Sequence, residues 1–171
     1  MTMFWYAALI AAVAVERLAE LVISQRNCAW SRWNGATEFG AGHYPAVVGL
    51  HIGLLAGCLV EVMELHRPFI PWLGWSMLAV VVAAQMLRWW CVTTLGPQWN
   101  TRIIVIPGAR RVTAGPYQWI THPNYVAVVF EGIALPLVHS AWITALVFTI
   151  MNAFLLHARI KVEDYALADM S

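Results

Sequence analysis

From Ile70 to Leu95 the chain holds one charged residue, Arg88, in a run of twenty-six. As a helix rising about 1.5 Å per residue, such a run is about 39 Å long, more than the roughly 30 Å of hydrocarbon in a bilayer. Four more apolar segments can be drawn: about Thr2 to Ile23, about Pro45 to Val62, Pro123 to Val138, and Ala141 to about Ala168. The first two of these also qualify as spans. The Pro123 segment is short at sixteen residues, and only His139-Ser140 separates it from the last segment. Those two read as a helical hairpin. Its second arm, about 42 Å long, should carry its polar end HARIKVEDYALADM past the hydrocarbon.

Residues are 61% hydrophobic and 11% charged, with mean hydropathy +0.66, whereas about a quarter of a soluble domain is charged. Ten tryptophans suit a protein with two membrane–water interfaces. The expected fold is therefore an all-α integral membrane protein with about five transmembrane helices. It is one domain: residues 1–95 make a three-helix N-terminal part, and 96–171 carry the site. A net charge of +1 gives no reason to expect nucleic acid as a partner. Cys28, Cys58 and Cys91 are too few and too widely spaced for a disulfide framework or a metal site, and read as free buried thiols. The opening apolar run lacks a basic n-region and carries Glu16, Arg17 and Glu20 where a cleavage site would need small residues, so no cleavable signal is expected. Placing the N-terminus outside puts nine of the ten Lys and Arg residues on the inner side, leaving only Arg67 outside. The C-terminal end and the Gly115–Tyr125 stretch are then cytoplasmic.

Charges inside a spanning helix are costly and pair or face wet cavities. Arg17 can reach Glu20 at i+3, and Glu16 shares a face with Glu20. This group reads as an ion pair that fixes helix packing, with direct catalysis the second reading. His51, alone on an apolar surface, reads as a packing residue. The segment SQRNCAWSRWNGATEFGAGHYP reads as an ordered cap over the inner face. RIIVI and RRVTA, on either side of Pro107-Gly108, give a hairpin signal, so a short β-hairpin-like loop is expected before the fourth helix. Arg110 and Arg111 there read as membrane anchors at head-group level.

The densest chemistry lies in GPYQWITHPNY, Gly115 to Tyr125. A Gly-Pro-Tyr turn leads to His122, and Pro123 opens a helix near N1, where its missing N–H costs nothing. A helix start offers free N–H groups and partial positive charge, to which His122, Asn124 and Tyr125 add side-chain donors and acceptors. The stretch reads either as a site or as an interfacial turn that anchors a membrane helix. Seven residues beyond Asn124, on the same face, Glu131 is a carboxylate in an apolar run with no charged sequence neighbour, which marks a candidate functional group. Asn152, Arg159 and Glu163, at spacings of seven and four with Asp164 adjacent, form a second stripe. Facing each other across the hairpin, the stripes would enclose a polar cleft suited to a small polar cofactor from the cytoplasm and a lipidic substrate from the bilayer. No P-loop, dinucleotide fingerprint, zinc spacing or Ser/His/Asp arrangement stands out, no metal is expected, and the residues alone do not specify the reaction.

GPYQWITHPNY, followed by a short helix and a helix ending RIKVED, resembles the isoprenylcysteine carboxyl methyltransferase family of integral-membrane enzymes. RLAELVISQRN, GATEFGAGHYP and WNTRIIVIPG extend the likeness over the chain, to a bacterial branch found beside type III polyketide synthases and associated with O-methylation of long-chain alkylpyrones or related phenolic lipids. The resemblance implies a bacterial plasma-membrane enzyme that uses S-adenosyl-L-methionine. By it, Tyr117, His122, Pro123 and Tyr125 would line the cofactor pocket, Glu163 would close it, and Arg159 would point toward the substrate's acidic oxygen. The helix stripes add Asn124 and Glu131 to the cofactor-binding set and place Asn152 with Arg159 and Glu163 in the catalytic set. Two departures stand out. Thr121 occupies the place where the family usually has Arg, and Glu163-Asp164 replaces a Glu-Glu pair. Carboxyl methylation of a prenylated cysteine, lipid N-methylation, an NADPH enzyme like the membrane sterol reductases, and a non-enzymatic membrane protein are the alternatives.

Overall fold

The computed structural model describes residues 2–169. Five helices run α1 Met3–Trp33, α2 Tyr44–Glu64, α3 Pro71–Leu95, α4 Pro123–Leu137 and α5 Trp142–Asp169, with strands β1 Thr37–Phe39 and β2 Ile103–Val105 between them. Among the described residues, Ala41–Glu64, Pro71–Gln98 and Trp142–Ala168 are long and apolar enough to cross a membrane, and α4 is a shorter apolar helix. Large apolar side chains face outward on these helices, with Trp72 73% and Phe154 75% exposed. That is the surface of an all-α integral membrane protein, whose solvent over the spans is hydrocarbon.

The first helix is ten residues longer than its apolar run suggests. Ser24–Trp33, expected to belong to a cap, continues α1. Thr2 to Trp33 contains neither Gly nor Pro, so nothing interrupts the ladder until Asn34-Gly35, where Gly35 takes φ +77°. There the Gly35 and Ala36 N–H groups bond the Arg32 and Ser31 carbonyls, closing the helix end.

The strand expected before α4 forms, but its partner is different. β2 pairs antiparallel with β1, with Thr37 opposite Val105 and Phe39 opposite Ile103. The chain does turn at Pro107-Gly108, where the Ala109 N–H bonds the Ile106 carbonyl. Beyond it, Arg110–Ala114 forms no strand. Ion pairs reinforce the chosen register: Glu38 accepts from Arg102 at 2.6 Å and from Arg32 at 3.1 Å. The Arg102 hydrogen bond, followed by the charges of both arginines, holds the Glu38 carboxyl below its usual range against the opposing effect of burial.

The core lies between all five helices, around Tyr6, Leu54, Cys58, Val81, Leu135 and Phe148. Gly132 lets α4 and α5 close up, because a Cβ there would overlap the Phe148 ring. His51 is a packing residue, edge-on to Phe148 with Nδ1 2.9 Å from the Val47 carbonyl. All three cysteines are free and buried. At the turn between α4 and α5, Glu61 accepts the Ile143 and Thr144 N–H groups at 3.1 and 2.7 Å and is paired with Arg67. A carboxylate there satisfies otherwise orphaned donors at the start of α5.

Deeper in the bundle, α1, α3 and α4 are joined by charge. Arg17 holds Glu20 at 2.5 Å and Glu131 at 2.9 Å, and Arg88 holds Glu131 at 2.5 Å. Gln85 accepts from Arg17 and donates to Glu16, which also accepts from Trp89. The pair expected between Arg17 and Glu20 is thus one part of a network that ties three helices together.

Candidate functional site

At one end of the bundle the C-terminal turns of α1, the segment 96–122 and the last turns of α5 converge. Asn27 on α1 donates to the Gly96 and Trp99 carbonyls at 3.1 and 2.7 Å, and Ser24 Oγ accepts from the Thr101 N–H at 3.0 Å. These bonds explain why α1 must continue past its apolar run: its polar extension fixes the segment that floors the site. Gly115, at φ +57°, lies against Thr94 and Trp90, where a Cβ would come within 2.6 Å of Thr94 Oγ1. Only glycine meets both demands. The single 3₁₀ turn Gly115–Gln118 then aims the chain at His122, the residue before α4.

His122 stacks on Tyr125 at 5.4 Å, with Nε2 3.1 Å from Asp164 Oδ1 and Nδ1 3.7 Å from Glu163 Oε1. The Tyr125 hydroxyl donates to Glu163 Oε2 at 2.5 Å. Arg159 is buried, donates to the Thr101 carbonyl at 2.9 Å, and carries its guanidinium 5.9 Å from the Tyr125 ring centre. Burial, and then the neighbouring Cys91, push the Tyr117 phenol up, so it stays protonated.

Two adjoining cavities open among these groups. The outer, of about 470 Å³, is lined by Gln98, Arg110, Arg111, Tyr117, His122, Glu163 and Asp164 among others. The inner, of about 140 Å³, is lined by Trp99, Asn100, Thr101, Asn124, Tyr125 and Arg159. Tyr117, Thr121, His122 and Glu163 belong to both walls. The outer volume falls in the range that takes a small-molecule ligand or cofactor.

The Glu163 carboxylate beside the ring, and then Asp164, raise the His122 pKa above its ordinary 6.5, against the opposing effect of burial. The folded chain therefore holds this proton more tightly than the unfolded chain. The resulting stabilisation is complete below about pH 6.5 and is lost as pH rises through the folded value. Wild type should thus lose thermal stability relative to His122→Gln as pH rises above about 6.5, the ordinary value of the group. A difference in unfolding temperature that stays flat or grows across this range would show that His122 is not held by these carboxylates.

Residues 77–169, more than half of the chain, match the model of the isoprenylcysteine carboxyl methyltransferase (ICMT) family. The chain belongs to that family. Membership makes it a membrane methyltransferase, and methyltransferases of the ICMT family generally use S-adenosylmethionine. Among its relatives is the Bacillus subtilis (strain 168) protein described as "Uncharacterized protein YpbQ", 41% identical over 170 residues, with 99% of each chain covered. A Haemophilus influenzae protein, described as "Uncharacterized protein", is 24% identical over 139 residues, covering 80% of this chain and 79% of its own.

Of the residues singled out in the sequence of this ICMT-family chain, Tyr117, His122, Pro123, Asn124, Tyr125, Arg159 and Glu163 all come to the inner cavity. Glu131 does not. It points into the charge network, where Arg17 and Arg88 hold its carboxylate. Its partners are 114 and 43 residues away, which is why it looked unpaired in the sequence. Asn152 is buried but lies off both walls, roughly two turns of α5 before Arg159. Sequence reasoning missed Gln98, Trp99 and Asn100, which fall in an aperiodic connection. It also took Arg110 and Arg111 for membrane anchors, whereas both line the outer cavity.

Proposed function

We propose that the protein is an S-adenosylmethionine-dependent O-methyltransferase acting on an acidic oxygen of a lipidic substrate, a long-chain alkylpyrone or phenolic lipid. One observation carries the reading: Arg159 and the His122–Tyr125–Glu163 group meet where a cofactor-sized cavity joins a smaller one, at the end of a lipid-facing bundle. The donor set fits the cofactor, which combines a carboxylate, an ammonium, a cationic sulfur and an aromatic base. Glu163 and Asp164 offer anionic oxygens, Arg110 and Arg111 offer cations, and Tyr117, His122 and Tyr125 offer ring faces suited to a sulfonium. Pro123 leaves the start of α4 free beside them.

S-Adenosylmethionine supplies an electrophilic methyl: its S–CH₃ bond breaks as the O–CH₃ bond forms, leaving a neutral thioether and a neutral methylated oxygen. An enolate, phenolate or carboxylate acceptor needs no strong general base. The chain's contribution is alignment and exclusion of water, with Arg159 orienting the acceptor oxygen. In this reading the N-terminus is outside and the site is cytoplasmic, following the placement of Lys and Arg.

Methyl-labelled S-adenosylmethionine given to the detergent-purified protein, with a long-chain 4-hydroxy-2-pyrone and a prenylcysteine analogue in parallel, tests the proposal. Label in the pyrone is expected. Label in the prenylcysteine alone would keep the chemistry but overturn the acceptor. Absence of both label and cofactor binding would overturn the reading altogether.

A further inference from the structure

Thr101, whose carbonyl accepts from Arg159 Nη2 at 2.9 Å, lies in no regular element. It falls between the 3₁₀ turn Gly96–Gln98 and strand β2, so no helix or sheet ladder fixes its peptide groups. Side chains of α1 do so instead. Ser24 Oγ accepts the Thr101 N–H at 3.0 Å and lies 2.8 Å from Thr101 Oγ1. One turn further along the same face, Asn27 donates to the Gly96 and Trp99 carbonyls at 3.1 and 2.7 Å. Ser24 is buried, and its own place is set by the unbroken helix α1. Ser24, Thr101 and Arg159 therefore form one chain of contacts, from a rigid helix through a loop to a guanidinium at the cavity wall. The whole of α1 lies outside the 77–169 stretch that the family model matches.

Resting on the methyltransferase reading above, we propose that Ser24 is a positioning residue for Arg159. Ser24 lies off both cavity walls, so it acts through Thr101 and not on a ligand. With Ser24 in place, the Thr101 peptide is held at its N–H, and its carbonyl gives Arg159 a fixed acceptor. Without Ser24 that N–H loses its partner and the peptide can rotate. The Tyr44 hydroxyl, 3.5 Å from Thr101 Oγ1, is too far away to hold the peptide by itself. Arg159 then keeps the Tyr125 ring beside it but loses the anchor that sets the direction of its guanidinium. A displacement of about 1 Å caused by a change far from the chemistry can cost about 10²-fold in rate. A loosened anchor should therefore appear in turnover and not in cofactor affinity.

The test is a double-mutant cycle of Ser24→Ala and Arg159→Ala, read in methyl transfer from labelled S-adenosylmethionine. The acceptor is whichever of a long-chain 4-hydroxy-2-pyrone and a prenylcysteine analogue takes the label. Ser24→Ala alone should lower kcat about ten-fold, the worth of about one net hydrogen bond, with calorimetric cofactor affinity at the wild-type value. On the Arg159→Ala background the same change should cost less than about two-fold, because the side chain it positions is gone. Thr101→Val, which removes the hydroxyl at nearly constant volume, should reproduce part of the loss, and Thr101→Ser should keep the wild-type rate. An equal loss in both backgrounds, or weakened cofactor binding, would make Ser24 a packing residue and overturn the proposal. If Ser24→Ala does not fold, Thr101→Val carries the same cycle. If neither acceptor takes label, the O-methylation reading falls, and the cycle is read in SDS unfolding midpoints. There, costs that sum to less than additive uphold the link from Ser24 to Arg159, and strict additivity removes it.

Discussion

Arg88→Leu should cost the folded protein about 3–5 kcal/mol, the penalty for removing one partner from a buried ion pair. Arg88 is 4% exposed and holds Glu131 at 2.5 Å and Glu20 at 3.5 Å. Without it, Glu16, Glu20 and Glu131, on two helices, share one cation, Arg17. Whole-protein stabilities are about 5–15 kcal/mol, so the loss should be visible as a much lower SDS midpoint for unfolding in mixed micelles. Adding Glu131→Leu should cost less than the two single changes summed, because each single change strands the other's charge. Strict additivity would mean that the two side chains are not coupled. Glu131→Gln separates stability from chemistry: it should lower the midpoint while leaving cofactor affinity unchanged. Weaker cofactor binding in its folded fraction would restore Glu131 to the cofactor site.

Arg159→Ala should lower kcat/KM for methyl transfer about 10²-fold, the consequence of misplacing the acceptor oxygen by about 1 Å, with little change in cofactor affinity. The side chain is held by the Thr101 carbonyl and the Tyr125 ring, so its position is set before any ligand arrives. Lysine should rescue only in part, because an ammonium cannot keep the guanidinium's planar pair of contacts. His122→Ala and Glu163→Ala are expected to behave oppositely, with the main loss in cofactor affinity. Single-turnover rates and calorimetric affinities on the same preparations separate the two classes. A variant at Arg159 with intact turnover and poor cofactor binding would move that arginine to the cofactor.

Much of the site was legible because its signals are local. Pro123 after His122 marks a helix start wherever it occurs, and Gly115-Pro116-Tyr117 marks the turn that precedes it. Spacings of seven and four put Asn152, Arg159 and Glu163 along one side of α5, and two of the three reach the cavity. The third does not, because a shared helix face continues along the axis while the cavity occupies only its last turns. β2 was visible in RIIVI, but β-propensity does not name a partner. Glu38, held by Arg102 and Arg32, belongs to β1, which the sequence pattern had left inside a cap.

The sequence by itself determined the five helices, the lipid-facing surface and the chain segments that supply the site. Each follows from hydropathy, helical period and breaker residues within a few turns of chain. Tertiary structure alone decided that α1 braces the floor of the site, that Arg110 and Arg111 form a cavity wall, and that Glu131 pairs with Arg17 and Arg88. A buried carboxylate takes whichever cations the crossing and rotation of neighbouring helices bring within about 3 Å. Those cations sit on other helices, and no pattern within α4 encodes where they will be.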